Sequence, residues 1–275
     1  MNIVKKGALC YYGFMIGFFI KKAFFDGWDN LLQIMLLNVI MLGVGFGGFY
    51  LAGATAFFIP LSLLIVAAAA SLEGALLLTV SSMMARVADY KSFNAKDFFA
   101  AFRSNLLHGF LFALVIAIAI TVCVVAIPYY LSLVSILGFG LAVLMFWVAV
   151  AFALSMQWFL PIRSQLEPKF GKALKKCLII FFDNPGFSLF MFLYSLVLGA
   201  LSLVLVFLLP GFGGIVLAQN EAFRLRLYKY DWLESHPELD PLKARKEVPW
   251  GELLADDEET VGTRSFRSFI FPWKD

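Results

Sequence analysis

Glu73 is the residue with the most chemistry to offer in this chain. It sits near the middle of an apolar run from Pro60 to about Ala85. A carboxylate at that depth in a bilayer is costly, so it points to a polar cavity or a proton-linked step. Its own segment supplies Ser71, Thr79, Ser81 and Ser82, and no other apolar segment offers a Lys, Arg or His at matching depth. The plainer alternative is a protonated side chain hydrogen-bonded to a neighbouring helix. Asn38 and Gln33 lie inside the first apolar segment and Gln157 near the end of the fourth; amides in lipid bond across helices. Glu73, Asn38 and Gln157 are the candidate intramembrane polar residues.

The remaining reactive residue types do not assemble into a catalytic pattern. Gly43, Gly45, Gly47 and Gly48 resemble a dinucleotide loop only in composition, because they lie within an apolar run and not between a strand and a helix. Close helix packing or a flexible break explains them better, and the same holds for Gly74, Gly138, Gly140, Gly213 and Gly214. The two histidines, His108 and His236, are far apart, as are Cys10, Cys123 and Cys177. No metal-ligand spacing or redox pair results, and such cysteines pack as small apolar groups. No HExxH, GxSxG or Walker loop occurs. The expectation is a non-enzymatic protein with no cofactor and no metal site.

Two basic connections carry apolar faces suited to a partner or to a headgroup layer. In Tyr90 to Arg103, Asn94 can cap a helix whose first turn holds Asp97. Phe98, Phe99 and Phe102 then share one face beside Lys96 and Arg103. In Lys169 to Phe182, four lysines accompany Leu174, Leu178 and Phe181. The C-terminal residues Phe266, Phe269, Ile270, Phe271 and Trp273 interleave with Arg264, Arg267 and Lys274. Phe98, Phe99, Phe102, Arg103, Phe269, Phe271 and Trp273 are therefore candidate docking residues. A surface-lying helix in the headgroups, and a tail folded back on its own protein, are the competing readings.

The elements that must position these residues are apolar helices. The chain has 275 residues, 61% hydrophobic and 15% charged, against roughly 25% charged in soluble domains. Segments at about Leu31 to Tyr50, Pro60 to Ala85, Leu106 to Ile127, Val134 to Leu160 and Gly186 to Leu209 are long enough to cross a ~30 Å core. A sixth, shorter one runs from about Phe212 to Leu227. Lys and Arg number four in residues 1–30, four in 86–105 and five in 161–185, and none in 51–59 or 128–133. That alternation places the basic connections and both termini in the cytoplasm. The net charge of +3 follows from this topology, and no nucleic-acid signature accompanies it. Gly7 to Ile20 spans only about 21 Å at 1.5 Å per residue. Bounded by Lys5, Lys6, Lys21 and Lys22, it reads as an interfacial helix with Tyr11, Tyr12, Phe14, Phe18 and Phe19 among the headgroups. No cleavage site follows it. Residues 231–275, with Asp256-Asp257-Glu258-Glu259 and four prolines, read as a solvated, poorly structured acidic tail.

Short motifs within this frame resemble the YesL-like family of bacterial membrane proteins. They are Lys96-Asp97-Phe98-Phe99-Ala100-Ala101-Phe102-Arg103-Ser104-Asn105 after a helix ending at Arg86, and Ala173-Leu174-Lys175-Lys176 ahead of Asp183-Asn184-Pro185. Asn38, the Pro210-Gly211 turn, Asn220 and Arg224 complete the likeness, which covers about residues 23–230. The chain departs from the pattern between Gly43 and Glu73, where it has extra apolar length, and in its acidic tail. The resemblance implies an accessory membrane protein linked with ATP-driven carbohydrate importers, and it brings no catalytic residues.

The expected architecture is an all-α polytopic bundle of six transmembrane helices (five possible) with an N-terminal interfacial helix. Its regions are 1–30, 31–230 and the tail 231–275. The expected setting is the bacterial inner membrane, with lipid, importer permease subunits or a second copy as partners and no nucleic acid. The expected role is an accessory or assembly subunit; the alternative is a small transporter or channel built on Glu73.

Overall fold

The computed structural model describes residues 2–238, 240, 248–262 and 264, with side chains from Gly13 onward. Among them the chain is helical with no strand. The helices are α1 (Asn2–Asp29), α2 (Leu31–Ala54), α3 (Ile59–Ala88), α4 (Ala95–Thr121), α5 (Ile127–Ser132), α6 (Ile136–Met156), α7 (Phe159–Leu166), α8 (Phe170–Asp183), α9 (Pro185–Val204), α10 (Gly211–Ser235), α11 (Trp250–Leu253) and α12 (Ala255–Val261). Among the described residues, five stretches are long and apolar enough to cross a membrane: Leu31–Ala54, Ile59–Ala88, Ala95–Ser132, Ile136–Leu166 and Pro185–Val204. The protein is a multi-pass helical membrane protein. Helix α10 is not among these five; Gln219, Asn220 and Glu221 interrupt its apolar start.

The chain divides into two compact units, residues 32–220 and residues 1–31 with 221–275. In the larger unit, α3 packs along α4 at two glycines. A Cβ on Gly74 would strike the carbonyl of Gly109, and one on Gly109 would strike the backbone of Ala75. Small residues let helix backbones touch where lipid offers no hydrophobic drive to associate. Gly48 does the same for α2 and α3, since its Cβ would stand 2.5 Å from that of Ala69. Trp158, Phe159, Ile162, Leu78, Met84 and Met191 fill the interior.

Several boundaries differ from the sequence expectation for identifiable reasons. The aromatic segment before the third span is no separate surface helix. It is the first part of α4, continuous with the span, because nothing between Phe102 and Leu106 breaks a helix. Pro128 does not end that span. A π turn over Val122–Ala126, with the Ile127 N–H donating to Val122 O, widens the helix just ahead of the proline ring, which would otherwise clash with a carbonyl one turn back. The fifth span stops at Val204, not Leu209, where Val206 and Phe207 take positive φ of 51° and 56°.

In the smaller unit, α1 runs to Asp29, beyond the expected Gly7 to Ile20. Of the aromatic residues expected among the headgroups, Phe18 and Phe19 are buried while Phe14 is exposed, and Lys22, expected to anchor there, is buried. The side chains of Tyr11 and Tyr12 lie outside the described residues. The expected unstructured tail contains α11 and α12, with Val248, Trp250, Leu254 and Val261 buried. Apolar residues at these spacings give the acidic segment a face to bury. Lys21 Nζ donates to Gly262 O at 2.9 Å, and Arg264 pairs with Asp29 at 2.8 Å.

Candidate functional site

Glu73 lies half-buried on α3. Its carboxyl meets the backbone of Gly45 on α2, where a Cβ would stand 3.2 Å from Oε1. The absence of a side chain at Gly45 makes room for the carboxyl. No Lys, Arg or His among the described residues reaches it.

Asn38 is fully buried and serves the turn between α9 and α10. Its Nδ2 donates to Leu208 O and Pro210 O, both at 3.0 Å, and its Oδ1 accepts from Gly213 N–H at 2.8 Å. Ser202 Oγ accepts from Gly211 N–H at 3.0 Å. One amide thus satisfies the Leu208 carbonyl and the Gly213 N–H and adds a second bond to Pro210 O, which also accepts from Gly214 N–H at 2.9 Å; this is how an irregular turn is tolerated within apolar surroundings. Gln157, just after α6, donates from Nε2 to Leu154 O and Ser188 O at 2.8 Å each, joining α6 to α9. The structure does not bring Glu73, Asn38 and Gln157 into one cluster: each contacts a different set of residues.

The docking candidates of α4 begin at a capping box. Asn94 Oδ1 accepts from Asp97 N–H and Asp97 Oδ2 accepts from Asn94 N–H, both at 3.0 Å. The helix therefore starts rigidly, and Arg86 pairs with Asp97 at 3.4 Å. Phe98 stacks on Phe102 with ring centroids 6.5 Å apart, and Phe99 meets Phe98 edge-on at 5.7 Å. Phe99 is 62% exposed, and Arg103 is exposed too. Helix α8 buries Ala173, Cys177 and Ile180, one register away from the Leu174, Leu178 and Phe181 face expected from the sequence. Leu178, Ile179 and Phe182 are left exposed beside Lys175. The ring of Phe170, at the start of α8, lies 6.4 Å from that of His108 on α4, so these two helices meet. Phe269, Phe271 and Trp273 lie outside the described residues.

Two polar clusters were not singled out from the sequence. In the smaller unit, Lys22 Nζ lies 2.5 Å from Asp26 Oδ2 and 3.1 Å from Glu221 Oε1, with all three side chains almost wholly buried. Buried Arg226 lies over the Trp250 ring at 5.3 Å and donates to Met15 Sδ. Arg224 and Tyr228 both reach Asp257, and burial pushes the Tyr228 phenol above its usual range. The space beside Lys22 and Glu221 is too small to admit water, and the cluster ties α1 to α10. The i, i+4 spacing of Lys22 and Asp26 was its one readable signal; Glu221 is 199 residues away. In the larger unit, Ser81, Ser164, Gln165 and Asn220 form a closed network with contacts of 2.9 to 3.1 Å.

These arrangements suit holding helices and presenting surfaces. Among the described residues no group of His, Cys, Asp and Glu is placed to hold a metal ion. No family model, no curated protein and no solved structure matches this chain.

Proposed function

We propose that this protein is a non-enzymatic accessory or assembly subunit of a bacterial inner-membrane system, of the ATP-driven carbohydrate-importer type that its YesL-like motifs imply. The carrying observation is the start of α4. The helix from Ala95 to Ser132 is 38 residues long, roughly 57 Å at 1.5 Å per residue, well beyond a ~30 Å hydrocarbon core. Its capped first turns therefore extend past the bilayer and hold Phe98, Phe99, Phe102 and Arg103 on a rigid stem. An exposed Phe99, half-buried Phe98 and Phe102 and an adjacent exposed arginine have the composition of interface anchors. The Leu178, Ile179 and Phe182 face of α8 adds apolar surface, and the tail residues Phe269, Phe271 and Trp273 complete the proposed docking set.

The basic connections place this surface in the cytoplasm by the positive-inside rule. That residues 1–31 and 221–275 group into one compact unit supports assigning both termini to the cytoplasm. On this reading the number of crossings is even, and the sixth is the short apolar start of α10. A mild-detergent pull-down from native membranes tests the assignment. Stoichiometric recovery of importer permease subunits, lost in a Phe99→Asp/Arg103→Glu variant that still purifies folded, is the expected result. Recovery of the chain alone, or only with itself, overturns it. The second reading, a small transporter, draws on Glu73 against Gly45; it requires a flux in reconstituted vesicles that Glu73→Gln abolishes.

A further inference from the structure

The region where α7 ends and α8 begins carries the excess charge of the whole molecule. Residues 159–183 hold five cations, Arg163, Lys169, Lys172, Lys175 and Lys176, against two carboxylates, Glu167 and Asp183. Their balance of +3 equals the net charge of the chain, so the remainder is neutral. None of the five cations makes an ion pair or a side-chain hydrogen bond with a described residue. Cations elsewhere behave differently: Lys22, Arg86, Lys91, Arg224 and Arg264 each meet a carboxylate. A cluster left without internal neutralisation attracts an anion from outside the chain.

Arg163 is the fixed point of this cluster. On α7 it stands one turn beyond Phe159, whose ring stacks on Phe112 of α4 at 5.1 Å and meets Phe170 of α8 edge-on at 5.1 Å. On α4, His108 stands one turn from Phe112 toward the same end, with its ring 6.4 Å from that of Phe170. Arg163 and His108 are therefore level with each other and within electrostatic reach. Packing closes off Arg163 Nε. The two terminal nitrogens are not closed off: the side chain is half-buried, and they stay accessible and unpaired among the described residues. The guanidinium is thus held by its inner edge and presents its outer fork, the geometry that takes a phosphate. Glu167 occupies the i+4 position from which it could pair with this arginine. It takes a left-handed φ of 46° instead and forms no ion pair with Arg163. Lys172 and Lys176, each one residue before the buried Ala173 and Cys177, border the face that α8 packs inward.

The level of the cluster selects the source of the anion. The stretch Ile136–Leu166 is 31 residues long, about 46 Å at 1.5 Å per residue against a ~30 Å hydrocarbon core. Arg163, three residues from its end, stands at the depth of the lipid phosphates. Leu107 and Phe110, on either side of His108 in sequence, are 66% and 49% exposed and offer apolar surface to acyl chains. We propose that Arg163, with His108, Lys172 and Lys176, binds the headgroup of an anionic diacyl phospholipid of the phosphatidylglycerol type. The Arg163 fork holds the phosphate, the lysines neutralise it, and the acyl chains run along α4. The site uses neither Phe98 to Arg103 nor the Leu178, Ile179 and Phe182 face, and it needs no protein partner, so it is tested apart from the docking surface.

The probe is dioleoyl-phosphatidylglycerol, titrated onto the detergent-purified full chain and followed by native mass spectrometry and thermal stability. Dioleoyl-phosphatidylcholine, with the same chains and no net charge, and inorganic phosphate are the comparators. Saturable retention of one phosphatidylglycerol per chain is expected, about tenfold or more tighter than phosphatidylcholine, and millimolar inorganic phosphate should not displace it. Arg163→Gln should weaken binding by about tenfold or more, the loss of a charge-assisted hydrogen-bonding fork. Lys172→Gln/Lys176→Gln should weaken it by about tenfold and serves where Arg163→Gln fails to fold. Lys96→Gln, which removes an exposed cation from the first turn of α4, should leave the affinity unchanged. Equal affinity for phosphatidylcholine would mean acyl-chain contact only and would overturn the proposal. So would an absence of binding, displacement by inorganic phosphate, unchanged affinity in the site variants, or an equal loss in Lys96→Gln.

Discussion

Replacing Lys22 by Met should destabilise the protein by about 3–5 kcal/mol, the usual cost of removing one partner from a buried ion pair. Two carboxylate contacts converge on one ammonium, at 2.5 and 3.1 Å, with side-chain exposures of 3%, 7% and 2% for Lys22, Asp26 and Glu221. At an effective dielectric of about 20, a charge pair near 3 Å is worth roughly 5 kcal/mol of attraction, and each buried ion forfeits several kcal/mol of hydration. In the wild type these nearly cancel. In the variant the attraction vanishes while Asp26 and Glu221 stay buried close to each other. The loss should therefore far exceed that of an exposed pair such as Arg264 with Asp29, whose side chains are 43% and 47% exposed; an exposed pair contributes about 0–1 kcal/mol. Chemical unfolding in mixed micelles, followed by tryptophan fluorescence, measures both, because Trp250 lies buried in the same unit. The triple replacement Lys22→Met/Asp26→Leu/Glu221→Leu should recover much of the loss, since an apolar substitute for a buried ionic cluster is often neutral. A change under 0.5 kcal/mol for Lys22→Met would refute the reasoning, because it would mean that water reaches the cluster.

Two further outcomes follow from packing and burial. Gly109→Ala should lower stability by about 1–3 kcal/mol by forcing α3 and α4 apart, whereas Gly43→Ala, with nothing within 4 Å of its added Cβ, should be neutral or mildly stabilising; equal effects in a thermal melt would contradict the assigned crossing. Burial pushes the Cys177 thiol up to about 12, so at pH 8.5 it holds on the order of a thousandfold less thiolate than an ordinary cysteine of pKa about 8.5. In a Cys10→Ser/Cys123→Ser background, maleimide labelling at that pH should be negligible until the protein unfolds, and labelling as fast as free cysteine would contradict the burial of α8 against its unit.

The helical membrane class of this protein was legible in the residues alone. A stretch such as Val134 to Leu160 cannot be hidden in water, and the alternation of basic and uncharged connections is a local count. The cap at Asn94 and Asp97 was readable too, because a capping box spans only four residues. Element ends were less so. Pro128 and Pro185 look alike as punctuation, yet a π turn carries the helix past the first while the second opens α9.

Tertiary structure alone decided which polar residues meet. Glu73 faces a glycine across two helices, Asn38 serves a turn 170 residues away, and Lys22 finds Glu221 199 residues away. It also turned a charged tail into two helices with a buried Trp250. The physical reason is range. Hydropathy and charge act through the immediate neighbourhood of each residue, so they are written in order along the chain. A hydrogen bond, an ion pair or a cavity wall depends on distances of a few ångströms between segments that only packing brings together.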